Sequence, residues 1–157
     1  MQRAALLQHL AADLRDELAQ QADLEQLLER QEQALSSRDA SGLEDLNDAI
    51  ERAFRAAEQR QARRERLVRG LADDQGIAPG IATLGALVER LGDEGRELAE
   101  QRQELRAMCA RVLQRARRNG ALIAAHRRVT GDVLAALLGD RTERDAVGGG
   151  VLVDAEV

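Results

Sequence analysis

Leucines recur along the first quarter of the chain at steps of three and four. Leu7, Leu10, Leu14, Leu24, Leu28 and Leu35 lie on one seam, and Glu17, Gln21 and Gln31 fall on the same seam as polar interruptions. This is a heptad pattern. Leu6, Leu18 and Leu27 widen it into the broader stripe that a bundle helix needs. The spacing predicts a first helix from about Arg3 to Ser36. The stretch "SSRDASG" (36–42) then breaks the pattern. Asp39 or Ser41 could cap the next helix, with Glu44 at capping-box distance from Ser41. A second helix is predicted from about Gly42 to Gly70, with Leu43, Leu46, Ile50, Ala53, Ala57, Leu67 and Leu71 on its seam and Phe54 beside it. So short a connector makes the two helices an antiparallel hairpin. "DDQGIAPG" (73–80), with the only proline, is the second break.

From about Ile81 to Leu138 the pattern returns as Leu84, Leu87, Leu91, Leu98, Leu105, Met108, Val112, Leu122, Val129 and Val133. As one helix this stretch measures about 85 Å, against about 45–50 Å for each helix of the hairpin. Gly92 and Gly95 weaken it locally and suit a kink or a close approach. Running back along the hairpin, the third helix is covered to about Val112. Residues 113–138 keep an apolar stripe with nothing in the chain to bury it, which marks an interaction surface. Past Gly139 the stripe ends, and 140–157 reads as a flexible tail. The expected fold is all-α: an elongated antiparallel three-helix bundle or coiled coil over residues 1–139, with a long third helix.

Asn119-Gly120 interrupts this overhang. Asn119 falls on the seam, where a polar residue can set register at some cost in stability. Gly120 weakens a helix interior by about 1 kcal/mol relative to Ala and admits a close backbone or a bend. Two readings stand side by side: a segment kept adaptable for a partner, and a glycine tolerated in an ordinary helix.

Charge changes the picture. Residues 1–51 carry twelve acids and four arginines, whereas residues 105–131 carry seven arginines and no acid. An acidic hairpin therefore holds out a basic, apolar-striped arm. The arm's arginines could steer an acidic partner, or could dock on the acidic hairpin of the same chain or of a second copy. The candidate binding residues are Leu113, Asn119, Gly120, Leu122, Ile123, His126, Val129, Val133 and Leu137. Arg115, Arg117, Arg118, Arg127 and Arg128 are the candidates for steering.

Composition narrows the class. Aromatic residues make up 1% of the 157 residues, so the core is thin and built of Leu and Ala. All basic residues are Arg, which reads as genome composition rather than as a binding signature. A net charge of −5 argues against a general nucleic-acid binder. No run is long enough to span a membrane. The N-terminus lacks a secretory signal's apolar stretch, and Cys109, the one cysteine, has no partner for an intramolecular disulfide. A cytoplasmic protein is expected. No enzyme site emerges: His9 and His126 stand far apart with no ligand-spaced neighbours, Cys109 reads as a structural thiol, and "GGG" (148–150) lacks the strand, lysine and helix of a phosphate loop. No cofactor or metal is expected.

Two segments resemble the FlgN family of flagellar type III export chaperones. "LLERQEQALSSRDASGLEDLNDAI" resembles its first helix, connector and second helix. "RNGALIAAHRRVTGDVLAALLGD" resembles the late part of its third helix, with Asn-Gly followed by two apolar residues. The resemblance implies a cytoplasmic chaperone that holds the C-terminal helices of hook–filament junction proteins before export. Asn119, Gly120, Leu122 and Ile123 would lie in the contact. Export gate or ATPase components are implied as further partners. Family members often carry late aromatic residues; this chain has none there. The alternative from another class is a structural coiled-coil protein, assembling as a homodimer or larger homo-oligomer through the overhang.

Overall fold

A computed structural model describes residues 2–37 and 41–148, with side chains described to residue 135. The fold is all-α, and no strand occurs among the described residues. The chain divides into two units, Met1–Asn119 and Gly120–Val157.

Helix α1 (Gln2–Ser37) and helix α2 (Leu43–Asp74) form the expected hairpin. On α1 the heptad seam is the buried face: Leu10, Leu14, Leu24, Leu28 and Leu35 are buried, and so are the interruptions Glu17, Gln21 and Gln31. Across the hairpin Asp13 meets Arg63, Glu17 meets Arg60, and Gln31 reaches Asn47. Numbers rise on α1 as they fall on α2, so the two run antiparallel. The N-cap residue is Gly42, not Asp39 or Ser41. Gly42 opens α2 with φ 72° and no side-chain cap, a conformation that glycine adopts at little cost. Asp39 lies outside the described residues. Helix α2 runs beyond the expected Gly70 and ends in a Schellman motif. There the Ile77 amide donates to the Ala72 carbonyl at 2.9 Å and the Gly76 amide to that of Asp73 at 3.2 Å, with Gly76 at φ 68°.

The single long third helix is corrected. Pro79–Ile81 is a 3₁₀ turn, helix α3 spans Leu84–Leu91, Gly92–Gly95 is a second 3₁₀ turn, and helix α4 runs Arg96–Gly148. Thr83 starts α3 by accepting the Ala86 amide at 3.1 Å. Gly92, at φ 56°, ends it in a backbone conformation that L side chains avoid. Gly95 is buried, and a side chain there would strike Leu91, which suits the position to glycine. At its far end α4 continues to Gly148, past the expected stop at Leu138. The rest of the expected tail, 149–157, lies outside the described residues.

Within the first unit α4 runs parallel to α1. Arg15 pairs with Glu97 at 3.1 Å, Glu25 with Arg111 at 3.2 Å and Glu32 with Arg118 at 3.2 Å. The core has two clusters. Leu10, Ala11, Leu14, Val68, Leu71, Leu87, Leu91 and Leu98 form one. Leu24, Leu28, Ile50 and Val112 form the other. Each fully buried leucine contributes about 1.5–3 kcal/mol. Beside the first cluster, buried Asp13 and Glu17 are held by Arg60, Arg63 and Arg64 of α2. Burial pushes the Glu17 carboxyl up. Hydrogen bonds from Arg60 and Gln21, with the charges of Arg60 and Arg64, outweigh that and hold it below the usual carboxylate range.

Candidate functional site

The candidate residues all lie on α4, and the structure divides them between the two units. Leu113, Arg115, Arg117, Arg118 and Asn119 belong to the three-helix unit. The expectation that the hairpin covers this helix only to about Val112 is corrected at Asn119, which is 1% exposed. Its Nδ2 donates to the Leu28 carbonyl at 2.7 Å and to Gln31 Oε1 at 2.8 Å. Gln31 Nε2 in turn donates to Asn47 Oδ1 at 2.7 Å. Three helices thus meet in one amide layer, and Asn119 takes the register-setting place that a polar seam residue can fill.

The arginines divide in the same way. Arg115 pairs with Glu32 at 3.0 Å and with Glu29 at 4.0 Å, and Arg118 pairs with Glu32. These two are engaged by the chain's own acidic hairpin, as one of the two sequence readings had it. Arg117, Arg127 and Arg128 form no ion pair among the described residues. Glu32 is the last acid of α1 within its described range, so the acidic series of α1 ends before the arginine series of α4 does.

From Gly120 to residue 135 the helix carries the rest of the candidates. Leu122 and Ile123 are half-buried, whereas His126, Arg127 and Arg128 are exposed. Val129 is 62% exposed and Val133 53%. No atom outside the helix's own backbone lies within 4 Å of where a side chain on Gly120 would sit. Leu137 falls outside the described side chains. One residue escaped the sequence reading: Leu134, 53% exposed. It belongs to the neighbouring row with Ile123, Arg127 and Thr130, and a wider stripe than the strict seam would have included it. Leu113, 50% exposed, and Phe54, 42% exposed, are the large apolar residues left open on the three-helix unit's α4 and α2. Cys109 is a free thiol on an exposed residue. Burial of the sulfur, then the charge of Glu17, push its pKa up against the opposing charge of Arg64, which favours the neutral thiol.

A continuous amphipathic helix with cations left unpaired among the described residues can bind another helix. Comparison with known proteins decides the class. The family model described as FlgN protein matches residues 1–146. The chain belongs to the FlgN family. No curated protein and no solved structure matches it. FlgN proteins are flagellar export chaperones, and the family binds flagellar hook-associated proteins. The FlgN match takes in both the three-helix unit and the helix beyond Asn119, so the exposed stripe lies within the family's own domain. No helix among the described residues is long and apolar enough to cross a membrane.

Proposed function

We propose that this FlgN-family chain is a cytoplasmic chaperone for hook–filament junction proteins, and that α4 from Gly120 to Leu137 receives their C-terminal helices. The observation that carries this reading is the run Val129, Val133 and Leu134, more than half exposed on a helix of an export-chaperone family. An aqueous helix with three such side chains on adjoining rows gains by covering them. The cargo is a helix whose apolar face would otherwise associate with its own kind. Holding it in that state keeps it fit for export and delivers it to the gate or ATPase of the export apparatus. Arg117, Arg127 and Arg128 steer the encounter, because charges at the rim of an interface act chiefly on association rate. Arg115, Arg118 and Asn119 support the site from within the three-helix unit instead of touching cargo.

The test is calorimetry with the C-terminal segment of a junction protein, run beside light scattering. Ile123→Asp and Val133→Asp each place an unpaired charge in the apolar contact and abolish binding. Replacing Arg117, Arg127 and Arg128 with Gln slows association and flattens its salt dependence, with a smaller loss of affinity. Unchanged affinity in both aspartate variants would remove residues 120–137 from the site. If the wild type binds no segment but is an oligomer that Val133→Asp dissolves, the helix is a self-assembly surface.

A further inference from the structure

The two core clusters of the three-helix unit share no buried residue. On α1 the gap from Leu14 to Leu24 spans about 15 Å at 1.5 Å per residue, and its seam positions are Glu17 and Gln21, both buried. On α4 the buried residue between Leu98 and Val112 is Gln101. Its Nε2 donates to Glu97 at 3.2 Å, while its Oε1 has no hydrogen-bond partner. Fully buried apolar packing therefore does not run continuously from one cluster to the other, although partly buried Leu105 extends the first cluster into the gap. Cooperativity between parts of a fold travels through such contiguous packing, and a polar break divides it.

The cluster of Leu24, Leu28, Ile50 and Val112 is the smaller, and on its far side a layer of amides separates it from the next buried leucine, Leu35. Asn119 donates twice there, but its buried Oδ1 accepts nothing. The chain of hydrogen bonds ends on Asn47, which is exposed, so water competes for its oxygen. Gly42 begins α2 at this end without a side-chain cap. The ion pairs of Glu25 and Glu32 with Arg111, Arg115 and Arg118 are partly open to solvent and screened by it. At the other end the larger cluster is flanked by the Schellman motif and the Thr83 cap, and by a Glu17–Arg60 pair at 2.7 Å, although Asp13 Oδ2 and Arg64 Nη1 there meet only as an ion pair at 3.6 Å without a hydrogen bond.

We propose that the half of the unit around Leu24, Leu28, Ile50 and Val112 opens on its own, with the Gln31–Asn47–Asn119 layer as the weak point that lets it open, while the half around Leu14, Leu71 and Leu87 stays closed. Such an opening frees a second apolar surface in the same chain. The inference makes no use of the proposed cargo site, so either can fail without the other.

Native-state hydrogen exchange of the full chain through low denaturant tests it. The amides of Leu24, Leu28, Ile50 and Val112 should exchange through an opening about 100-fold more populated than the one that exposes Leu10, Leu14, Leu71 and Leu91. If both sets merge on one isotherm at every denaturant concentration, the unit opens as a whole and the proposal is overturned. A Gln31→Leu/Asn119→Leu variant replaces two amides of that layer with hydrocarbon. It should raise protection of the first set by about tenfold or more and leave the second set unchanged. Unaltered or lower protection there, or loss of helix content, would show that the amide layer holds the fold together instead of limiting it.

Discussion

Residues 96–119 and residues 120–135 belong to one helix, α4, and both are amphipathic, yet they differ in what covers them. In the first stretch Leu98, Gln101, Val112 and Asn119 are buried, and Arg111, Arg115 and Arg118 are paired with acids of α1. In the second, Val129, Val133 and Leu134 are exposed, and Arg127 and Arg128 have no ion pair among the described residues. Helical periodicity specifies that a face will be buried. It does not specify by what. Other helices of the chain supply the cover up to Asn119, and for the second stretch the FlgN family suggests an export cargo.

The sharpest way to break this comparison is to truncate one side chain in the buried core and one on the open stripe. Leu14 is fully buried in the larger cluster. Leu14→Ala should lower unfolding free energy by about 2–5 kcal/mol, the lost transfer energy plus the cavity left behind. Val133→Ala should change it by no more than about 0.5 kcal/mol, as for an ordinary surface position. Urea unfolding of both variants decides the matter. A core-sized loss from Val133→Ala would mean that this side chain is already packed in the free protein.

Acid provides a second, smaller separation. Glu17 is held below the usual carboxylate pKa, so its folded state binds a proton less readily than its unfolded state. The stability it contributes is full above its ordinary value of 4.5 and is lost as pH falls through its depressed folded value. Thermal melts from about pH 6 down to about pH 3 should therefore show a falling Tm, and Glu17→Gln should reduce that fall while lowering Tm at neutral pH. Exchange of amides in residues 120–135, which carry a single acid, Asp132, should follow only the intrinsic pH dependence. Parallel Tm slopes for wild type and variant would show that Glu17 is not the responsible group.

Much of the three-helix unit is legible in the sequence because a heptad seam is a one-dimensional signal. The seam named every buried leucine of α1, and its polar interruptions Glu17, Gln21 and Gln31 are buried where the spacing puts them. Asp13 was not legible. It stands one residue off the seam, and its burial depends on Arg63 and Arg64, whose register against α1 no local pattern reveals. The reach of the bundle along α4 was misjudged for a physical reason. Pro79–Ile81 and Gly92–Gly95 take up chain in turns, so the long helix begins at Arg96 and its covered part shifts toward the C-terminus. That shift carries Asn119 under Leu28 and Gln31, so the exposed stripe begins beyond Gly120 and is shorter than the 113–138 that the helix lengths predict. The family match supplies what periodicity could not, namely the kind of protein this chain is.

The smallest expected effect compares two glycines, one on each side of that shift. A side chain at Gly95 would place its Cβ 2.9 Å from Leu91 Cβ and 3.2 Å from the Val88 carbonyl oxygen. The carbonyl is backbone and cannot step aside, so Gly95→Ala should destabilise the three-helix unit by about 1–3 kcal/mol, as overpacking does. Gly120 sits inside a regular helix with nothing within 4 Å of the same construction. There an added methyl meets no clash and reduces the freedom of the unfolded chain. Gly120→Ala should therefore stabilise the helix by about 0.5–1 kcal/mol, read as a higher Tm or slower amide exchange around residue 120. Binding adds a second sign to the same variant. If a cargo helix approaches the α4 backbone closely at Gly120, the methyl that steadies the free helix weakens the complex, and affinity falls while stability rises. Higher stability with unchanged affinity would confine Gly120 to a tolerated place in the helix. Lower stability would mean that the methyl meets a neighbour in the free protein, and the boundary drawn at Asn119 would move further along α4.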